Sequence, residues 1–280
     1  MAILYLSIVT AAVSLTIGLI LIRGNRKIGF LKNVVPEDKV NFPKVSIVIA
    51  AKDEEKNLRQ ALTQLLRQDY YDFELIVVND RSTDNTGKIL NTLSKQHKDL
   101  KVITKDYLPS GWLGKNHALQ TGAEQAAGEL LLFTDADVLM ESDCLKKAVY
   151  YLNKNNLDHL AVTPEMDIRN KIVDMFGSVF PIYFSIYALP WKAKEPHSRF
   201  HVGIGAFNLV KKDIYYQIGG HKQIKMRTDD DMQLGKMIKK NGGRQEMLFG
   251  TGMIRVEWYS TPKELINGLM KNSFTALGYN

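Results

Sequence analysis

Gly128-Glu129-Leu130-Leu131-Leu132-Phe133-Thr134-Asp135-Ala136-Asp137 is the stretch whose reading decides the fold. Its short apolar run reads as a buried strand of a parallel sheet, covered on both faces. Two carboxylates separated by one residue then stand at the strand's C-terminal edge, where open α/β sheets bind ligands. Asp135 and Asp137 there can hold a hard divalent cation through oxygen, and the cation can clamp a diphosphate. An Asp-x-Asp pair alone also caps helices and fills solvated turns, so its weight comes from the company it keeps.

Upstream, Val45-Ser46-Ile47-Val48-Ile49-Ala50-Ala51 is β-branched and apolar, as a central strand requires. Lys52 to Asn57 turns it into a helix expected from about Asn57 to Gln68, with Leu58, Ala61, Leu62 and Leu65 on one face. Phe73 to Val78 reads as a second strand, ending in a polar turn, Asn79 to Thr86, rich in helix-capping side chains. A helix follows from about Thr86, and Lys101 to Thr104 is a third, shorter strand. Strand and helix alternating at this spacing predict parallel pairing with right-handed crossovers. Pro109-Ser110-Gly111-Trp112-Leu113-Gly114-Lys115-Asn116-His117-Ala118 is a loop whose glycines admit close backbone approach, with Lys115 beside a helix N-terminus. It lacks the Gly-x-x-x-x-Gly-Lys-Ser/Thr spacing of a P-loop.

The chain has 280 residues, enough for one α/β domain with peripheral elements. Its net charge of +7 is spread out without aromatic interleaving, which argues against nucleic acid and for anionic lipid or a diphosphate. Cys144 is the single cysteine, so no internal disulfide forms; it reads as a half-buried thiol after the Asp-Ala-Asp strand, in a reducing compartment. Residues 2–22 are apolar and uncharged, long enough for a transmembrane helix. Arg23, Arg26 and Lys27 follow at once, which places the rest of the chain in the cytoplasm, at the cell membrane. A cleaved signal peptide is disfavoured by the absence of a preceding basic residue and of an Ala-x-Ala-like site. Residues 23–43 read as a juxtamembrane linker, with Pro36 and Pro43 framing Glu37-Asp38-Lys39.

The order of the Val45 strand, the Asp80 turn, the Gly114-Lys115 loop and Asp135-Ala136-Asp137 resembles the family-2 glycosyltransferases with the GT-A fold. Gly111-Trp112-Leu113-Gly114-Lys115-Asn116 is most similar to membrane-bound carotenoid- and hopanoid-associated members. The resemblance covers about Lys44 to Asn280 and implies a mixed α/β sheet flanked by helices over residues 44–260. It further implies that Ala51, Glu54 and Asp80 contact the nucleoside, with Lys115 and Asp135 also on the donor side. Asp137 would then ligate Mn²⁺ or Mg²⁺. The implied donor is a nucleotide-diphosphate sugar, a UDP-sugar first among them. Departures are Ala50 for the usual Pro, Asp53 for Asn, and Asn79-Asp80-Arg81-Ser82 for Asp-Asp-Gly-Ser, which leaves the base open.

Downstream, Met175 to Trp191 is charge-free and rich in Phe and Tyr. With Pro181 at its middle it reads as an interfacial or core-facing helix rather than a second span, its aromatics packed in the core. His201 to Asn208 reads as a glycine-tolerant strand; by the resemblance it lines the acceptor side with Gly219-Gly220-His221. Arg227 to Gly235 opens a helix to about Lys240, stopped by Gly242-Gly243. Three aspartates at a helix N-terminus are favoured by the dipole alone. The family pattern Glu-Asp-x-x-Leu-Gly, set on Leu234-Gly235, implies Asp231 as catalytic base and Asp230 in place of the Glu, Asp230 as base being the other register. Residues 261–280 read as an amphipathic interfacial helix, with Leu265, Ile266, Leu269, Met270 and Phe274 on one stripe. A missing Gln-x-x-Arg-Trp signature argues for transfer of one sugar, and the absence of further C-terminal spans for a short or truncated chain.

The expected function is membrane-anchored, metal-dependent, inverting transfer of one sugar to a lipid or lipid-linked hydroxyl. A nucleotidyltransferase on a similar sheet would need a Gly-rich phosphate loop after the first strand, where Ala50-Ala51-Lys52-Asp53 offers none. A non-catalytic membrane adaptor is the reading from another class; Asp137, Asp230 and Asp231 are all present, against it.

Overall fold

The β-branched run does form a central strand, β1 (Val45–Ala51), and its alternation separates two cores. Val45, Ile47, Ile49 and Ala51 face one of them, and Val48 faces the other. A computed structural model describes the backbone of residues 1–37 and 42–276 and the side chains of those residues up to 270. In chain order, α1 (Ala2–Asn25) precedes β1; α2 (Leu58–Leu65), β2 (Phe73–Asp80), α3 (Thr86–Gln96), β3 (Leu100–Lys105), α4 (Gly114–Glu124) and β4 (Leu130–Thr134) follow. Next come β5 (Leu139–Met140), α5 (Cys144–Lys154), β6 (His159–Thr163), β7 (Glu165–Asp167) and α6 (Lys171–Ala188). The chain continues through β8 (Asn208–Lys211), α7 (Lys212–Gln217), α8 (Asp230–Lys240), β9 (Gln245–Phe249), β10 (Ile254–Glu257) and α9 (Pro262–Ala276).

The main sheet has the order β3-β2-β1-β4-β8-β6-β9 and is mixed, β8 running antiparallel to both neighbours. A small sheet, β5-β10-β7, stands beside it. Strands 1 to 3 progress outward from β1, and β4 returns on its other side, so the order reverses between β1 and β4. That reversal opens a crevice at the C-terminal ends of both strands. Ile49 lies beside Thr134, so the turn after Ala51 and the Asp135-Ala136-Asp137 segment emerge at the same edge. Leu58, Leu62 and Leu65 of α2, with Leu90 of α3 and Leu145 of α5, cover one face; Leu119 of α4 and Leu234 of α8 cover the other.

Three local expectations are corrected by burial. β2 runs on to Asp80, because Asn79 and Asp80 continue the ladder to β3 instead of turning. α2 stops at Leu65, where Gln68 turns inward: its amide donates to the Glu141 carbonyl and accepts from the Leu145 N–H. Cys144 is not half-buried but fully enclosed, and burial pushes its thiol well above the ordinary cysteine range.

The segment read as a linker is partly seated on the domain. Ile28 and Leu31 are buried, and the Phe249 N–H donates to the Gly29 carbonyl. Asp38 and Lys39 lie outside the described residues, as do Leu277 to Asn280 and the Phe274 side chain. α1 is long and apolar enough to cross a membrane, and its apolar stretch is not buried by the rest of the chain. Its end docks through Gly24, where an added Cβ would come within 2.2 Å of the Trp191 ring. Gly24→Leu should therefore destabilise this seat by about 1–3 kcal/mol, as overpacked contacts do. Thermal unfolding of the full chain in neutral micelles checks it; an unchanged Tm would mean that α1 is not seated here.

α6 continues through Pro181 and also passes the length and apolarity test for a span, yet Val173, Gly177, Ser185 and Ala188 bury one side of it on the protein. Of the aromatics expected in the core only Phe184 packs against it, half-buried; Phe176, Phe180, Tyr183 and Tyr187 are exposed, with Ile172, Met175 and Ile182 among them. On α9, Leu265 is buried and Leu269 half-buried, while Ile266 and Met270 of the same stripe are exposed.

Candidate active site

Two loops at the β1 and β2 ends are latched together. The Glu54 N–H donates to Thr86 Oγ1 at 2.8 Å, and Asp53 accepts from the Thr83 N–H at 2.7 Å. Asp53 and Arg81 both sit at positive φ, 56° and 55°, a region that Asp tolerates and Arg does not favour. Arg81 folds back on Asp80 with two hydrogen bonds of 2.9 and 2.8 Å, so the buried carboxylate is already clamped. Gly114 opens α4 against this pair; a Cβ there would lie 2.1 Å from Asp80 Oδ2. Two residues on, Asn116 donates to the carbonyls of Ile224 and Arg227 at 2.6 and 2.8 Å, fixing the segment that leads into α8.

Lys115 joins the two halves of the site. Its Nζ lies 2.8 Å from Asp135 Oδ1 and 3.5 Å from Asp230 Oδ1. Burial works against its charge, but Asp135, Asp230 and Asp231 prevail and hold the ammonium above the ordinary lysine range. Asp230 is only 5% exposed. Behind it lies His221, 4.0 Å away, which burial and the nearby Lys115 keep neutral with a pKa of about 3. That histidine is bonded to the Tyr215 hydroxyl at 2.8 Å. Asp231 is placed by the Gly203–Gly205 segment: a Cβ on Gly203 would strike the Asp231 backbone, and one on Gly205 would lie 2.8 Å from Asp135 Oδ2 and 3.7 Å from Asp231 Oδ2. Thr134 Oγ1 donates to the Ala206 carbonyl at 2.7 Å and pins the segment to β4.

These groups open into a cavity of about 1220 Å³. Lys115, Asp135, Asp137, Asp230 and Asp231 form its polar end. Phe180, Phe184 and Tyr187 of α6, Leu21 and Asn25 of α1, and Trp258 and Gly268 form the far walls. Ser185 donates to Asn25 at 3.4 Å where α6 meets α1.

A family model described as Glycosyl transferase family 2 matches residues 46–219. The chain belongs to that family. A probable glycosyltransferase, YdaM, of Bacillus subtilis (strain 168) is 41% identical over 120 residues, 41% of this chain and 27% of YdaM. A 4,4'-diaponeurosporenoate glycosyltransferase of Staphylococcus aureus (strain USA300) is 25% identical over 197 residues, 70% of this chain and 51% of that protein. The match thus spans about half or less of these relatives' length. Among solved structures, a mannosyltransferase of Pyrobaculum calidifontis in complex with GDP-Man and Mn²⁺ superimposes with a TM-score of 0.70 at 21% identity, covering 95% of this chain and 71% of that one. Staphylococcus aureus TarS 1–349 in complex with UDP-GlcNAc gives 0.57 at 18%, covering 79% and 60%. The fold is that of the GT-A glycosyltransferases.

Of the residues the family pattern singles out, Asp135, Asp137, Lys115, Asp230 and Asp231 converge on one cavity. Ala51 is buried with its side chain in the core, so only its backbone is available to a ligand. Asp80 lies outside that cavity, behind Gly114. The family glycine replaced by Arg81 has its physical reason in the positive φ, which Arg81 retains. His201 to Phe207 is not a strand, since β8 begins only at Asn208; Gly203 and Gly205 are needed where α8 and Asp135 press on the backbone. Gly203 to Ala206 do line the cavity, whereas Gly219-Gly220-His221 does not, its histidine closing the back of the cluster instead. The tethering role of Asn116 has no local signal, because its partners lie more than a hundred residues away.

The donor set fits a divalent cation. Burial and then Asp135 raise Asp137 to about 6, and burial, Asp137 and Asp135 raise Glu54 to about 7. Such crowding of carboxylates is relieved by a hard cation with oxygen ligands. Among the described residues no group of three or more His, Cys, Asp or Glu is placed to hold a metal ion, so a cation at Asp137 would need further oxygen ligands from the substrate phosphates.

Crowding also gives a pH signature. Glu54, Asp137 and Asp231, raised above their unfolded values near 4, bind more protons folded than unfolded between about pH 4 and 7. Stability therefore falls as pH rises through that window. His159 and His221, both held neutral by burial, oppose this below about 6.5. Without metal, Tm should drop as pH rises from about 6.5 through 7, and Mn²⁺ with a nucleoside diphosphate should flatten the slope. A Tm that rises with pH over this range would contradict the crowding.

Proposed function

We propose that this chain is a membrane-anchored, metal-dependent, inverting glycosyltransferase moving one sugar from a nucleotide-diphosphate sugar to a lipid hydroxyl at the cytoplasmic face of the cell membrane. The observation that carries the reading is one continuous cavity running from the carboxylate cluster to walls supplied by α6 and the end of α1. An acceptor hydroxyl and an apolar tail need such a cavity, polar at one end and apolar at the other.

Asp231 is the base in this reading. Burial and then Asp230 push it up to about 7, where a carboxylate serves well as a proton acceptor. Burial also raises Asp230, but its pairing with Lys115 gives it an electrostatic and structural part. As the acceptor oxygen bonds to the sugar's anomeric carbon, its proton passes to an Asp231 oxygen and the bond to the diphosphate breaks. Entry from the face opposite the leaving group inverts that carbon. A Mn²⁺ or Mg²⁺ held by Asp137, with Asp135 beside it, would neutralise the departing diphosphate. The donor is taken as a UDP-sugar, with GDP-sugars the first alternative because a mannosyltransferase of similar fold is seen with GDP-Man.

The lipid acceptor is supported by exposed apolar side chains on α6 and α9, by α1 with its following Arg26 and Lys27, and by the diaponeurosporenoate glycosyltransferase among the relatives. This chain in neutral micelles with Mn²⁺ should move label from a UDP- or GDP-sugar into the organic-extractable fraction of a lipid extract. Label passing only to soluble sugars or peptides would overturn the acceptor assignment.

A further inference from the structure

A second cavity, of about 430 Å³, lies beside the first and shares Tyr187, His201, Met232 and Lys236 with it. Its charged lining is cationic: Arg199, Lys236, Lys239 and Lys240, with no carboxylate. Lysines at a helix C-terminus offset the dipole, and this accounts for Lys239 and Lys240. It does not account for Lys236, a turn earlier, nor for Arg199, which arrives from another segment. Lys239 is committed to structure, donating to the Ala193 and Glu195 carbonyls, both at 2.6 Å. Arg199 stacks on Phe200, its Cζ 5.4 Å from the ring centroid. Among the described residues, neither Arg199, Lys236 nor Lys240 forms a salt bridge with a carboxylate.

We propose that this cavity binds the phosphate of a membrane amphiphile, seated between Arg199, Lys236 and Lys240. Three cations lining one cavity, none of them ion-paired with a carboxylate among the described residues, suit a phosphate ester, which accepts several charge-assisted hydrogen bonds at once. Position selects an amphiphile: the cavity abuts Tyr187 and Ala188 at the end of α6, where Tyr183, Ile186 and Tyr187 are exposed. A phosphate bound here would lay its apolar chain along that helix, beside the acceptor cavity. The inference shares with the proposed function the premise that α6 meets lipid, but it concerns binding and not transfer.

The test titrates dioctanoyl phosphatidic acid into the full chain in neutral micelles, by calorimetry, against dioctanoyl phosphatidylcholine and inorganic phosphate. Wild type should bind the phosphatidic acid well above the other two. Arg199→Gln with Lys240→Gln should weaken it about tenfold or more, at unchanged Tm. Arg199→Lys with Lys240→Arg should largely restore it. Equal affinity in the double Gln variant would overturn the site, and inorganic phosphate binding as tightly as the amphiphile would overturn the amphiphile. Charge-dependent binding without transfer to any lipid fraction would leave this site standing and remove the acceptor reading alone.

Discussion

Asp231→Asn is expected to lower kcat by about 10²- to 10⁴-fold, the range that a positioned general base supplies. The substitution keeps the shape of the side chain and its contact with the Met232 N–H, but the amide takes no proton at neutral pH. Donor and metal affinity should stay within about twofold, because the loss falls on the transition state. Asp230→Asn should act differently. It removes a buried partner of Lys115, so Tm should move along with KM, and kcat should fall less. Steady-state kinetics on both variants, with Tm as control, separates the two roles. A dead Asp230→Asn of unchanged Tm beside an active Asp231→Asn would shift the base by one residue.

Asp137→Ala should be nearly as damaging, by a different route. A divalent ion contributes several kcal/mol of charge stabilisation to a leaving diphosphate, so turnover should drop by about 100-fold or more at fixed metal. Mn²⁺ at a concentration that saturates the wild type should not rescue it, since without this carboxylate the ion is no longer held at the site. Glu54 should respond too: its raised pKa depends in part on Asp137, and a titration of Glu54 in the variant should move back towards ordinary glutamate values. Rescue of Asp137→Ala by metal alone would assign the ion elsewhere.

Much of the fold was legible because local pattern and global position agree. β1 and β4 are apolar runs that a doubly covered sheet demands, and the stripe Leu58, Ala61, Leu62 and Leu65 is buried as its spacing implies. The five residues of the carboxylate cluster come from three separate chain segments, each at an element boundary visible in the sequence. What was not legible depends on distant partners. Gly203 and Gly205 look like strand residues, and only contact with Asp231 and Asp135 explains why no side chain stands there. The Arg81 side chain itself gives no sign of a positive φ, and only the glycine it replaces in the family pattern hints at one. The aromatics of α6 match a core helix in composition; their exposure follows from which side of α6 the domain covers, a fact of tertiary packing.

The account rests on the carboxylate edge of β4 being a metal-dependent diphosphate site. Its most direct test is calorimetric titration of UDP, and in parallel GDP, into the full chain with Mn²⁺ and again with chelator. At least one nucleotide should bind with Mn²⁺ and lose most of its affinity without it, and Asp137→Ala with Mn²⁺ should behave like the chelated wild type. Equal affinity with and without the ion, for a nucleotide that does bind, would contradict it.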